Sequence, residues 1–317
     1  MKIYVGSLGW SYPDWKGVLY PRNSVSSDWL YYYSKFFDYV EIDHTFYHTP
    51  DPQVVKKWSK ITPPDFRFTI KFPRAITHSR RLADIRTNHL NNFFSAMSHL
   101  SSKNLSFLIQ LPPSFIFGEN AQGLKDLKDF ASILDSTSNK HRYAIEFRDR
   151  SWFNDQTYYV LSSYDICMVW NQLHDLAAPP VCTSDFVYLH LIGDSNSSKR
   201  NYQVKPMIRE FSQSRPGRDD NNDNEEQIRK DSLLQMQKWA SELTCLAIKE
   251  ERDRRGARTP MQFVLVSINN HYLGYGPRAI NIFRRMIGLP IIRFGDVKQT
   301  TLFDFENIGV GEHVTEY

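Results

Sequence analysis

The sequence contains little cysteine and no long uninterrupted run of apolar residues. Its three cysteines, Cys167, Cys182 and Cys245, are widely separated and lack the close spacing of a metal site or redox pair. Their scarcity excludes a disulfide-stapled scaffold and favours reduced thiols in an intracellular protein. No apolar stretch approaches the roughly 20 residues that a membrane-spanning helix needs. We therefore expect a cytoplasmic protein without a membrane partner.

A strong excess of one charge is also missing. The 39 Lys and Arg residues nearly balance 35 Asp and Glu residues, which leaves a net charge of +4. This mild excess permits an anionic partner without requiring one. The first residues, Met1–Gly6, predict a strand rather than a signal peptide. With 317 residues and 41% hydrophobic residues, the chain is long and apolar enough to bury a large core.

Short runs of apolar, β-forming residues alternate with longer helical patterns along the chain. The eight predicted strands are Ile3–Ser7, Tyr39–Ile42, Arg67–Lys71, Leu105–Gln110, Tyr143–Glu146, Ile166–Trp170, Phe186–Leu191 and Phe263–Ile268. Strands that alternate with helices favour an α/β protein with a parallel sheet covered on both faces. Eight of them in about 290 residues predict a closed TIM-type (β/α)8 barrel, with an open doubly wound sheet as the alternative.

Residues 195–231 interrupt this alternation after strand seven. They are rich in Ser, Asn, Asp, Glu and Arg and contain few large apolar side chains. Such a composition cannot bury a core, so we predict an exposed insertion. Residues 1–290 then form a single barrel domain, and residues 291–317 form a C-terminal tail.

Charged residues stand at the carboxyl ends of several predicted strands, where TIM-type barrels place their active sites. Glu41 is the penultimate residue of strand two, Lys71 ends strand three and Glu146 ends strand five. We predict these three as catalytic: the two carboxylates as an acid–base pair, with Lys71 between them as a counter-charge or a reactive amine. The alternative is a buried ion cluster that only closes the barrel top.

Aromatic, basic and amide residues near the same strand ends are predicted to bind a ligand. They are Trp10, Tyr12, Asp43, Tyr47, Arg74, His78, Gln110, Arg148, Trp152, Asn171, His190, Asn269 and Asn270. The arginines suit phosphates, and the rings suit stacking on a base or sugar. No tight spacing of His, Asp and Glu predicts a metal site, and no cofactor is assigned.

The tail carries a peptide pattern over residues 298–305. Gln299, Leu302, Phe303 and Phe305 have the spacing that one helical turn needs to present an aliphatic and an aromatic residue together. The pattern resembles the boxes through which archaeal and eukaryotic replication proteins bind the sliding clamp, PCNA. The alternative is an ordinary tail segment whose apolar residues pack on the chain's own body.

The strand-end motifs resemble those of one known family. They are Gly9-Trp10-Ser11-Tyr12, Glu41 with Thr45-Phe46-Tyr47, Lys71-Phe72-Pro73-Arg74 with Thr77-His78, Gln110-Leu111-Pro112-Pro113-Ser114-Phe115, Glu146-Phe147-Arg148 with Ser151-Trp152, and Asn269-Asn270. This order resembles the YecE-like family, domain of unknown function 72. The resemblance implies a TIM-type barrel without an established activity. It also implies that the tail is an archaeal-type counterpart of a clamp-binding peptide in bacterial relatives.

Three hypotheses for the function remain open. The first is a DNA-maintenance protein that a sliding clamp recruits, with nucleic acid or a phosphate-containing ligand at the strand ends and a nuclease-like hydrolase activity. The second is a small-molecule hydrolase or lyase with a glycosidase-like carboxylate pair. The third is a barrel that binds ligands without catalysis.

Overall fold

The computed structural model describes residues 1–79, 82, 85, 87–118, 122–137, 141–173, 175–193, 220–253 and 260–294. The strands within these ranges are β1 Lys2–Ser7, β2 Tyr39–Ile42, β3 Arg67–Lys71, β4 Asn104–Gln110, β5 Tyr143–Glu146, β6 Cys167–Met168, β7 Trp170–Leu173, β8 Phe186–Gly193 and β9 Phe263–Ile268. The helices are α1 Trp29–Tyr33, α2 Pro52–Ile61, α3 Thr87–Met97, α4 Gln122–Asp135, α5 Asp155–Ser163, α6 Asp220–Asp253 and α7 Gly276–Met286.

The strands form two parallel sheets, in the orders β1-β9-β8-β7 and β2-β3-β4-β5-β6. An isolated parallel bridge between Leu8 and Glu41 joins them on one side. On the other side, the amide of Val169 donates to the carbonyl of Ile145 over 2.9 Å. The prediction of an α/β fold with parallel strands is therefore confirmed, and the arrangement is consistent with a TIM-like domain. It is two sheets of four and five strands rather than the continuous closed sheet that we predicted.

The predicted sixth strand is divided into β6 and β7, and a remote side chain explains why. The hydroxyl of Thr183 accepts from the amide of Met168 over 2.8 Å and donates to the carbonyl of Ile166 over 2.6 Å. The amide of Met168 is therefore bound to a side chain and not to a neighbouring strand. A ladder that loses a backbone donor in this way ends there.

Inward-facing residues of the strands stack in layers between the two sheets. Tyr39 of β2 donates to Thr69 of β3 over 2.9 Å and lies 3.1 Å from the hydroxyl of Ser267 of β9. Successive residues of a strand alternate between faces, so the residue two positions on shares the face. Glu41 therefore shares a face with Tyr39 on β2, and His190 shares a face with Tyr188 on β8. The layer above the hydroxyls is therefore made of charged groups.

Local signals define the ends of α2. Asp51 precedes the helix and its carboxylate accepts from the amide of Gln53 over 2.7 Å, which satisfies one free helix donor. At the other end, the ammonium of Lys103 donates to the carbonyls of Ser59 and Thr62 over 2.7 and 2.8 Å. The helix buries Val55 and Trp58, and the ring of Trp58 packs against those of Trp10 and His44.

The long helix α6 begins at Asp220, within the segment 195–231 that we predicted as an exposed insertion. Residues 194–219 lie outside the described residues, as do residues 295–317, which include the predicted clamp-binding peptide 298–305. None of the described helices is long and apolar enough to cross a bilayer.

Candidate active site

His190 lies between two buried glutamates from different strands. Its Nδ1 is 2.8 Å from Glu146 Oε2, and its Nε2 is 3.4 Å from Glu41 Oε2. The three side chains are at most 1% exposed. They come from β2, β5 and β8, so residues far apart in the sequence meet at one carboxyl end of the strands. A carboxylate, an imidazole and a second carboxylate are thus aligned.

The Glu146 carboxylate determines which imidazole nitrogen carries a proton. Burial acts to raise its pKa, but Arg148, His190 and Lys71 outweigh that effect and lower it to about 2. Glu146 is therefore ionised at neutral pH and can only accept hydrogen bonds. It follows that His190 Nδ1 carries a hydrogen and donates it to Glu146. The Nε2 atom is left facing Glu41.

The two carboxylate oxygens of Glu41 differ in their hydrogen bonding. The hydroxyl of Tyr188 donates to Oε2 in a short hydrogen bond. Burial and the nearby Glu41 raise the pKa of Tyr188 well above its usual value, so this hydroxyl stays neutral and remains a donor. The other oxygen, Oε1, is buried without a hydrogen-bond partner among the described residues.

Two further residues, Arg148 and Asn171, contact the other carboxylate oxygen of Glu146. Arg148 Nε lies 2.6 Å from Glu146 Oε1, an ion pair in which the arginine is only slightly exposed. Asn171 of β7 places its amide nitrogen 3.4 Å from the same oxygen and donates to the carbonyl of Phe147 over 2.7 Å. The amide oxygen of Asn171 is buried and has no partner within the described part of the chain.

More exposed groups lie near the buried cluster, and the charges of two of them, Lys71 and Arg148, lower the pKa of Glu146. The ammonium of Lys71 lies 5.2 Å from the centre of the Phe46 ring, and that ring contacts His78 edge-on. Burial first, then Arg74, Lys71 and Arg148, lower the pKa of His78. These basic side chains therefore all lie within electrostatic range of His78.

The predicted position of Lys71 between the two glutamates is not what the structure shows. His190 occupies that position instead. The ion pairs described at this end join Glu146 to Arg148, and His190 to both glutamates. Asp43, by contrast, lies near this group: burial first and then Glu41 raise its pKa, while Lys71 lowers it. Gln110 is half-buried and pairs with Glu146 in the sheet register.

Several residues that we predicted to bind a ligand are engaged in the protein's own packing. Trp152 is fully buried, stacks between Phe115 and Phe147, and donates to the carbonyl of Phe115 over 2.7 Å. Trp10 is buried against the rings of Trp58 and His44.

The polar members of the predicted set include three residues with structural partners. Asn270 accepts from the indole of Trp15 over 2.8 Å and from the amide of Gly276 over 2.9 Å. Asn269 accepts from the backbone amide of His271 over 3.1 Å. Tyr12 donates to the carbonyl of Leu8, and burial raises its pKa. Tyr47 differs from all of these, because it is 79% exposed.

The sequence analysis missed the hydroxyl groups beneath the acidic cluster. Tyr188 binds Glu41 and lies 2.9 Å from Ser267 Oγ, and Tyr39 and Thr69 continue this buried chain. The signal was present, because Tyr39 and Tyr188 stand two residues before Glu41 and His190 on their strands and so share a face with them. Among the described residues, no group of three or more His, Cys, Asp and Glu side chains has a metal-binding arrangement.

The fold and the site together describe an α/β protein with two parallel sheets, consistent with a TIM-like domain, and an imidazole between two carboxylates at its strand ends. The chain belongs to the family described as protein of unknown function DUF72, whose sequence model matches residues 4–299. The family resemblance of the strand-end motifs is thereby confirmed.

Curated relatives in bacteria share part of the sequence. The chain is 32% identical to UPF0759 protein YecE of Escherichia coli over 151 residues, 48% of this chain and 50% of that protein. It is 30% identical to UPF0759 protein YunF of Bacillus subtilis over 185 residues, 56% of this chain and 61% of that protein. The matches thus span only half to three fifths of the length of these relatives.

Solved structures of DUF72 family proteins share the fold. One from Thermotoga maritima has a TM-score of 0.64 at 24% identity, covering 91% of this chain and all of that one. One from Enterococcus faecalis has a TM-score of 0.65 at 17% identity, covering 94% of this chain and all of that one.

Proposed function

We propose that this protein is an acid–base enzyme, a hydrolase or lyase, that acts on a small anionic ligand at the strand ends. The observation that carries the proposal is His190 held between buried Glu146 and Glu41 over 2.8 and 3.4 Å. A carboxylate that fixes one imidazole nitrogen leaves the other available for proton transfer, as in many general-base catalysts.

The proton path follows from the hydrogen bonds. Glu146 keeps Nδ1 of His190 protonated, so Nε2 is the nitrogen that takes a proton from a bound ligand or passes one to it. Glu41, fixed by Tyr188, stabilises the imidazolium that forms and provides a second acceptor at Oε1. We assign the proton transfer to His190, Glu41 and Glu146. We assign Lys71 to binding the negative charge of the ligand.

This geometry favours a role other than the glycosidase-like carboxylate pair. A glycosidase needs open space between its two carboxyl groups for the sugar bond or an attacking water. Here the imidazole of His190 lies between Glu41 Oε2 and Glu146 Oε2. The two glutamates therefore act through the histidine, not directly on opposite faces of a sugar.

The test is a turnover screen with p-nitrophenyl phosphate, bis-p-nitrophenyl phosphate and a panel of small phosphate esters and hydroxy acids. We expect any activity found to fall by about 10³-fold or more in His190→Gln and Glu146→Gln. Glu242→Gln on α6 is the matched control and should retain it. Activity that survives in both site variants would place the chemistry elsewhere.

A second candidate function is DNA maintenance through a sliding clamp. The feature that favours it is the tail sequence Gln299–Phe305, which has the anchor spacing of clamp-binding peptides. Tethering to a clamp raises the local concentration of a weak DNA binder. Under this proposal the tail is archaeal-type, the partner is PCNA, and the cationic strand-end residues bind nucleic acid, with a nuclease-like hydrolase activity.

Clamp capture tests this second function separately. A chain ending at Val297 and the double variant Gln299→Ala with Phe305→Ala are expected to lose retention on immobilised PCNA. Thr300→Ala and Thr301→Ala, which leave the anchor residues in place, serve as controls. Equal retention of the shortened chain would contradict clamp recruitment through the tail.

A further inference from the structure

Four buried polar atoms at the strand ends are without a hydrogen-bond partner among the described residues, and one of them, Arg148 Nε, is in an ion pair with Glu146. The other three are Glu41 Oε1, Asn171 Oδ1 and His190 Nε2, and each belongs to a side chain at most 1% exposed. A buried acceptor without a donor is unfavourable, because it has lost its hydrogen bonds to water. The oxygens of Glu41 and Asn171 can only accept, and His190 Nε2 lies 3.4 Å from Glu41 Oε2. We call the group formed by Glu41, Asn171 and His190 the floor of the site. Its unpartnered acceptors suit a ligand that brings hydrogen-bond donors.

The groups nearer the solvent have the opposite character. Lys71 and Arg148 are partly exposed and Arg74 is exposed, and we call these three residues the rim. Their positive charges all lower the pKa of His78. The ammonium of Lys71 lies over the Phe46 ring. None of the ion pairs among the described residues joins Lys71 to a carboxylate. A cationic rim above an acidic floor favours an anionic group at the rim and neutral donors below it.

Access to the floor limits the size of the ligand. Glu41, Glu146 and His190 lie beneath the rim with almost no exposed surface. A nucleic-acid duplex cannot bring its backbone into contact with side chains so deeply buried. A small ligand with its donors at one end and its charge at the other matches the chemistry of both layers.

We propose that the ligand is a monosaccharide phosphate, with its phosphate at Lys71, Arg74 and Arg148 and its hydroxyls donating to Glu41 Oε1, Asn171 Oδ1 and His190 Nε2. This inference rests on the proposed acid–base function and adds the substrate class. A hydroxyl donating to His190 Nε2 is also the group whose proton the histidine is placed to remove.

Calorimetry on the full chain tests the ligand class with four probes: glucose 6-phosphate, glucose, n-butyl phosphate and inorganic phosphate. We expect glucose 6-phosphate to bind about tenfold or more tightly than each of the others, because only it has both donors and charge. This comparison needs no variant. Equal affinity for n-butyl phosphate, tighter binding of a single-stranded oligonucleotide, or no binding of any probe would overturn the proposal.

Two variants divide the ligand between rim and floor. Lys71→Met should weaken glucose 6-phosphate about tenfold and leave the weak binding of glucose unchanged, and Lys128→Met on α4 is the control. Glu41→Gln keeps an acceptor for Tyr188 but turns a donor group toward the ligand. It should weaken glucose 6-phosphate without affecting inorganic phosphate.

The substrate class and the acid–base function fail in different ways. If glucose 6-phosphate binds as expected but no turnover depends on His190, the acid–base function is contradicted and the ligand class stands. If His190-dependent turnover occurs only with an anion that lacks hydroxyls, the ligand class is contradicted and the acid–base function stands.

Discussion

Glu146 and His190 contact one another across the two sheets, with Glu146 Oε2 2.8 Å from His190 Nδ1. Glu146 ends β5 in the five-stranded sheet, and His190 lies on β8 in the four-stranded sheet. The hydrogen bond therefore joins the sheets at the end that carries the site. It also fixes the ring orientation on which the proposed chemistry depends.

The low pKa of Glu146 predicts how stability depends on pH. Its folded pKa of about 2 lies below the ordinary value of 4.5, so its contribution is present above pH 4.5 and lost as pH falls toward 2. We expect the wild type to lose on the order of 3 kcal/mol more stability than Glu146→Gln across this window. Urea unfolding at a series of pH values measures the difference.

Asp43→Asn is the matched comparison, because the shift of Asp43 has the opposite sign. Burial and Glu41 raise the pKa of Asp43 in the folded protein, so ionising it costs stability as pH rises above its ordinary value of 3.8. The Asp43→Asn protein should therefore lose less folding stability than the wild type as pH rises from 3.8 toward neutrality. Identical acid limbs in the wild type and Glu146→Gln would show that Glu146 is not held ionised by its neighbours.

Loss of the Tyr188 hydroxyl should destabilise the protein more than loss of the Tyr39 hydroxyl. Tyr188 donates to the buried Glu41 carboxylate, whereas Tyr39 bonds to the neutral hydroxyl of Thr69. We expect about 1–3 kcal/mol for Tyr188→Phe and about 1 kcal/mol for Tyr39→Phe from denaturant unfolding. Any detected activity should change its pH profile only in Tyr188→Phe, and matching profiles in both variants would contradict a role in holding Glu41.

Trp152 is predicted to serve stability rather than ligand binding. Its ring is fully buried between Phe115 and Phe147, with centroid distances of 5.0 and 4.6 Å. Trp152→Ala should lower the free energy of unfolding by about 3–5 kcal/mol. Trp152→Phe retains the stacking and should leave ligand affinity within about twofold of the wild type, a small change on the affinity scale. A large loss of affinity in a stable Trp152→Phe protein would place this ring in the binding site after all.

Two adjacent asparagines offer a matched pair for the packing beyond β9. Asn270 accepts two hydrogen bonds, from Trp15 and Gly276, while Asn269 accepts one from His271. Asn270→Ala leaves two buried donors unpaired and should cost about 2–4 kcal/mol, against about 1 kcal/mol for Asn269→Ala. Thermal unfolding of both proteins checks the order, and a reversed order would contradict it.

Much of the strand pattern could be predicted from the sequence. The bounds of β2, β3, β5 and β9 coincide with the predicted strands, because buried parallel strands are short apolar runs ended by polar residues. The division of the sixth strand could not be predicted. It depends on the hydroxyl of Thr183, which no local pattern links to Met168.

The candidate site was predictable in membership but not in arrangement. Glu41, Glu146 and His190 all stand out as polar residues at strand ends, and the structure brings them together. Which residue lies between the glutamates depends on how β8 and β5 are positioned across two sheets, and sequence spacing carries no such information. Trp152 illustrates a similar limit, because an aromatic residue near a strand end suits both a core and a ligand surface.

The protonation of His190 Nδ1 is the most direct test of the account. Proton–nitrogen correlation NMR of imidazole-labelled protein at neutral pH, with His190→Gln used to assign the signal, reports which nitrogen carries hydrogen. We expect a protonated, strongly hydrogen-bonded Nδ1 whose signal changes on Glu146→Gln. A bare Nδ1 at neutral pH would contradict the arrangement from which the proposed chemistry follows.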